Sequence, residues 1–146
     1  MSDTWTPRLD RDGLAELLAE HFPQAGDAAS WLAGAGEGWV ELVLPFSTDQ
    51  LRPGGTLSGP TLMTLADVAM YFLVLTHIGP EPLAVTSSLH IDFLRRPAAT
   101  DLRARAELLR LGKGLAVGRV EMSSVGDPRP VAHATVTYAL PRTENE

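Results

Sequence analysis

Asp67 is the only carboxylate in an almost unbroken apolar stretch, Leu62 to Leu75. An ionised acid among apolar side chains costs on the order of several kcal/mol unless it is paired or hydrogen-bonded. A chain that keeps one there gives it a partner, a task, or both. At helical spacing Thr64, Asp67 and Tyr71 fall on one narrow polar stripe. Two readings fit these residues taken alone. Asp67 is a satisfied structural acid, bonded to Thr64 or a loop amide, or it belongs to a functional site.

The residues just before it bear on that choice. "LSGPTL" supplies Ser58 as a helix N-cap and Gly59-Pro60 as the first turn, where proline has no backbone N–H to lose. Free N–H groups at a helix start carry positive partial charge and can hold a developing oxyanion. Gly59 has no side chain, so a carbonyl can approach its N–H closely. Asp67 lies roughly 12 Å further along the helix axis. One carbonyl reaches both groups if the substrate lies across the helix or if the acid comes from a second subunit. A two-fold interface provides the second arrangement.

The elements that must position these groups are legible from periodicity. "LDRDGLAELLAEHFP" spaces Leu14, Leu17 and Leu18 as a short amphipathic helix that Pro23 stops. "GWVELVLPF" alternates as a strand, with Val40, Leu42, Leu44 and Phe46 on one face. "DAASWLAGAG" is expected as its hairpin partner, turning near Gly36 to Gly38. "STDQLRPGGTLSGP" reads as a loop, and the long apolar helix after it ends at "GPEP", residues 79 to 82. Four strand-like segments follow: "LAVTSSLHIDFL", "DLRARAEL", "LAVGRVEMSSV" and "VAHATVTYAL", with Gly112-Lys113-Gly114 and "GDPRP" as turns. Strands in succession predict an α+β fold with an antiparallel sheet, wrapped around the one helix apolar enough to be buried.

The 146 residues suit one domain, 1–146, with residues 1–25 as an N-terminal helical extension and 142–146 as a frayed tail. Twelve basic against eighteen acidic residues leave a net charge of −6, which argues against a nucleic-acid partner. The chain has no cysteine, so disulfides, thiol catalysis and thiolate-bound zinc are excluded. The polar N-terminus and the short apolar run predict a soluble, cytoplasmic protein with no membrane partner. His77, His90, Asp92 and His133 sit on separate elements or outward faces, so no metal site is expected.

"GGTLSGPTLMTLADVAMY" resembles the motif of the hotdog-fold acyl-CoA thioesterases of the PaaI type, in which a His-Gly-Gly triplet precedes a helix carrying "LAD". Gly59 falls on the central glycine and Asp67 on the catalytic acid, at matching spacing. "VTSSLHIDFLRRP" resembles the family's long strand and "VAHATVTYALP" its last, so the likeness spans about residues 35 to 141. It implies a hotdog homodimer, often paired into homotetramers, with active sites between subunits and no cofactor. It implies a Gly59 N–H that polarises the thioester carbonyl, and Asp67 of the partner subunit as general base or nucleophile. Thr86 matches a small hydroxyl that assists, with Ser87 and Ser88 beside it. Ser58 stands where the family has His, Pro60 where it has the third Gly, and Arg52 where relatives carry Asn or Gln. Arg95, Arg96 and Lys113 are candidates for the phosphates of CoA. Thr64 and Tyr71 share the substrate-facing stripe. The function expected is hydrolysis of an acyl-CoA thioester. A non-catalytic acyl-CoA-binding hotdog protein is the alternative, and a dehydratase is disfavoured because no His lies in the motif.

Overall fold

The structure, a computed structural model, describes residues 5–141; the expected tail at 142–146 lies outside the described residues. Helix α1, Arg11–His21, is capped by the Asp10 carboxylate, which accepts the Gly13 N–H at 2.8 Å. It buries Leu14, Leu17 and Leu18, the three residues its spacing singled out. Two short 3-10 turns, Pro23–Ala25 and Ala28–Trp31, lead into β1, Leu32–Gly36. The hairpin partner of β2, Trp39–Leu44, is therefore shorter than expected, because "DAAS" curls instead of extending. The turn falls at Glu37-Gly38, where Gly38 has φ +78°.

The segment expected to be a plain loop carries local order. Ser47 and Gln50 form a reciprocal capping box, and a two-stranded ribbon, β3 (Leu51–Arg52) with β4 (Thr56–Leu57), follows. Gly54 and Gly55, both at positive φ, make its turn. Elements this short fall below what hydrophobic periodicity can resolve.

Helix α2, Gly59–Ile78, is the centre of the molecule. Its buried set includes Leu62, Leu65, Ala66, Ala69, Met70 and every residue from Phe72 to His77. By length and composition it passes as a membrane span, but 67% of its apolar window is buried inside the fold, so it is the core helix. Gly79, at φ +90°, ends it.

The remaining strands are β5 (Val85–Phe93), β6 (Leu102–Leu111), β7 (Leu115–Ser124) and β8 (Pro130–Ala139). They join β1 and β2 in one antiparallel sheet of six strands, ordered β1-β2-β6-β7-β8-β5. The inward face of the middle strands is largely small: Ala104, Ala106, Ala116, Ala132 and Ala134 are fully buried. Small residues let α2 lie close to the sheet. At Gly118 a Cβ would come within 2.6 Å of the Met70 sulfur and 3.0 Å of the Glu107 carbonyl oxygen, so glycine is required by packing there.

His77, near the end of α2, ties the helix to the β1–β2 turn. Its Nε2 accepts the Gly38 N–H at 2.9 Å, while Nδ1 lies 2.9 Å from the Leu73 carbonyl oxygen. An acceptor at one nitrogen and a donor at the other define a neutral imidazole. Burial lowers its pKa below the ordinary histidine value.

At the far side of the sheet, among the described residues, β5 pairs only with β8, and its other edge is open. Val85, Phe93 and Leu94 on and beside it are exposed apolar residues. A long open edge with exposed apolar side chains is a site for pairing with another chain.

Candidate active site

After Gly79 the chain reverses, so the first residues of β5 pass beside the middle of α2. This places the Thr86 hydroxyl 2.6 Å from Asp67 Oδ1, to which it donates. The same oxygen accepts the Tyr138 hydroxyl, from β8, at 2.8 Å. That hydroxyl also lies 3.2 Å from the Asp67 main-chain oxygen. Among the described residues, Asp67 Oδ2 accepts no hydrogen bond. The acid is thus held through one oxygen and free at the other.

Asp67 opens on a cleft of about 530 Å³ whose walls include Phe22, Val68, Tyr71, Ala84 and Val85. Aromatic rings line one side in series. Phe22 meets Tyr71 edge-on at 6.3 Å between centroids, and Tyr71 stacks on Tyr138 at 5.9 Å. The Tyr71 hydroxyl donates to the Pro82 carbonyl at 2.8 Å, which pins that ring. Tyr138 is 3% exposed. Burial, reinforced by the adjacent Asp67 charge, holds its phenol above the ordinary tyrosine value, so it remains a donor.

Gly59 opens elsewhere. Its cleft, about 440 Å³, is lined by Arg52, Thr56, Phe93, Leu94, Arg95 and Arg96 among others. Ser58 caps the helix: its Oγ accepts the Thr61 N–H at 3.3 Å and sits 2.8 Å from Thr61 Oγ1. Pro60 has no N–H. Among the described residues, the Gly59 N–H donates to no protein acceptor, so it is the open donor of the first turn. A Cβ at Gly59 would meet only the Phe93 ring, at an ordinary 3.6 Å.

The expected site residues therefore separate into groups. Asp67, Tyr71 and Thr86 come together in one cleft. Gly59, Arg52, Arg95 and Arg96 come together in another. Ser58, Pro60 and Thr64 border a third, with Trp31, Leu44 and Gln50. Ser88 is exposed on β5, and Lys113 stands in the β6–β7 turn, outside all of these clefts. Asp67 is bonded to Thr86 and Tyr138, not to Thr64 or a loop amide. Arg52 lines the Gly59 cleft and not that of Asp67. Sequence reasoning passed over Tyr138 as a site residue. The available signal was a large hydroxyl-bearing ring at the end of a strand face otherwise built from Ala132, Ala134 and Val136.

An antiparallel sheet curled about one long helix is the hotdog fold. The chain belongs to the thioesterase superfamily, whose family model matches residues 54–138. A provisionally assigned thioesterase from Silicibacter sp. TM1040 is 41% identical, with 96% of this chain and 97% of that one covered and a TM-score of 0.84. A second such protein, from Ralstonia eutropha JMP134 and described as phenylacetic acid degradation-related, is 26% identical over 87% of this chain and 98% of its own, with a TM-score of 0.74. Zebrafish thioesterase superfamily member 2, at 20% identity, shares the fold with a TM-score of 0.76, covering 91% of this chain and 99% of its own. No functionally curated protein shows significant similarity to the chain.

Proposed function

We propose that the protein hydrolyses acyl-CoA thioesters to a free acid and CoA at a site completed by two subunits. One observation carries this reading. Asp67, held at Oδ1 and free at Oδ2, and Gly59, with its free N–H, open on separate clefts of the same chain. Neither half suffices for thioester cleavage. The open β5 edge, with Val85 and Phe93 exposed, supplies a surface on which a second copy fits.

In the assembled site the Gly59 N–H takes the thioester carbonyl oxygen and stabilises its charge as the carbon becomes tetrahedral. Oδ2 of the partner subunit's Asp67 removes a proton from water as its oxygen attacks that carbon, or attacks the carbon itself to give an anhydride that water then opens. In the first route the C–S bond then breaks and CoA leaves as the thiol with that proton; in the second the C–S bond breaks as the anhydride forms, CoA leaves as the thiolate, and a proton of the water that opens the anhydride converts it to the thiol. Arg95 and Arg96, with Arg52 nearby, offer the guanidinium groups that suit the CoA phosphates. The acyl chain lies towards the apolar walls of the Asp67 cleft.

The test is complementation. Asp67→Asn and Gly59→Val chains, each inactive alone, are co-expressed with different tags and purified as mixed dimers. Each mixed dimer then holds one intact site and one doubly impaired site. About half of the wild-type thiol release from acetyl-, hexanoyl- or phenylacetyl-CoA is expected. No recovery in mixed dimers would place the whole site within one chain and sink the proposal. A wild-type protein that binds these esters but releases no thiol would instead support the binding-protein reading, which the Ser58 substitution motivates.

A further inference from the structure

Tyr138 is not explained by packing alone. It is a phenol at the end of β8, buried at 3% exposure, and 71 residues from the acid that its hydroxyl meets. Buried hydroxyls seek partners. This one reaches the Asp67 main-chain oxygen at 3.2 Å but lies closer, at 2.8 Å, to a carboxylate oxygen that already accepts the Thr86 hydroxyl at 2.6 Å. Two donors on one oxygen leave the other as the exposed, less stabilised lone-pair site. The ring is fixed in turn by stacking on Tyr71, which is pinned through its own hydroxyl to Pro82.

We propose that Tyr138 is a positioning residue for the reaction: its hydroxyl locks the Asp67 carboxylate by Oδ1 and presents Oδ2 to the cleft. This rests on Asp67 being the acting group, as argued above. The lock fixes the carboxylate rotamer, so the reacting oxygen does not have to be ordered during turnover. Thr86 supplies the second donor from an exposed strand edge, whereas Tyr138 supplies one that water does not reach.

The experiment compares Tyr138→Phe, Thr86→Val and Asp67→Asn with wild type, using hexanoyl-CoA and phenylacetyl-CoA and a thiol reagent. The cysteine-free chain adds no thiol signal of its own. Tyr138→Phe keeps the ring and its stacking. It is expected to lower kcat about 10-fold with KM nearly unchanged. Thr86→Val is expected to act in the same direction, and the double variant more strongly. A Tyr138→Phe enzyme with wild-type kcat, beside an inactive Asp67→Asn, overturns the role of Tyr138 and leaves the site assignment standing. Full turnover by Asp67→Asn overturns the site assignment itself. If Tyr138→Phe lowers the melting temperature and raises KM by as much as it lowers kcat, the residue is structural and the proposal fails.

Discussion

The two clefts are built from different materials. At Gly59 the working group is a backbone N–H, made available by what its neighbours lack: a side chain at Gly59 and an N–H at Pro60. Arginines surround it, and the cleft suits an anionic, extended ligand. At Asp67 the working group is a side chain, held by hydroxyls from two different strands and walled by aromatic and aliphatic residues. The first cleft tolerates little change in backbone and much in side chain. The second depends on long-range packing, because Tyr138 and Thr86 reach the acid only when β5 and β8 are paired. In the proposed reaction, a site divided in this way separates recognition of the carrier from handling of the acyl group.

That contrast can be tested from either side. The largest effect is expected at Gly59. In Gly59→Ala the added Cβ makes only ordinary contact with Phe93, so folding is preserved while the approach to the N–H is obstructed. A kcat loss of about 100-fold with an unchanged melting temperature is expected from steady-state kinetics and calorimetry. A smaller effect is expected from the Arg95→Ala/Arg96→Ala double variant. Its KM for acyl-CoA rises about 10-fold at low salt, kcat holds, and the difference shrinks as salt is added. A drop in kcat with KM unchanged would mean that these arginines face the chemistry rather than the carrier.

The smallest effect bears on the frame common to both clefts. His77 is neutral in the fold, with a pKa below the ordinary value of 6.5, so the unfolded chain takes up the proton first. Its contribution to stability is therefore complete above about pH 6.5 and declines as pH falls from there towards the lowered folded value. Melting temperatures between pH 7 and 5 should fall more steeply for wild type than for His77→Gln. Parallel slopes would mean that the Gly38 contact carries no pH dependence.

Much of this architecture can be read from residue patterns. α2 and β6 follow directly from apolar runs and alternation, since burial is imposed by faces of fixed period. Asp67 announces itself as a lone acid in an apolar helix. Thr86 does not: Thr86-Ser87-Ser88 is an ordinary exposed strand, and only the family resemblance singled it out. Tyr138 stands out in the sequence only as a hydroxyl-bearing ring on an apolar strand face, and its partner stays hidden for a physical reason. Its role depends on β8 lying between β7 and β5, and nothing local in "VTYAL" specifies that order. The β3–β4 ribbon escaped because two-residue strands have no period to detect.

α2 also has one feature that symmetry makes conspicuous. If Gly59 of one subunit faces the partner subunit's Asp67, the reverse pair forms as well, and the two helices run past each other in opposite directions. The residue halfway between 59 and 67 then lies nearest the axis that relates the copies. That residue is Met63, 43% exposed on a helix that is otherwise mostly buried. A side chain there meets its own duplicate, so it must be compatible with itself. A flexible, uncharged thioether satisfies that condition. A lysine or glutamate would confront an identical charge, and one codon change would be felt twice in every dimer.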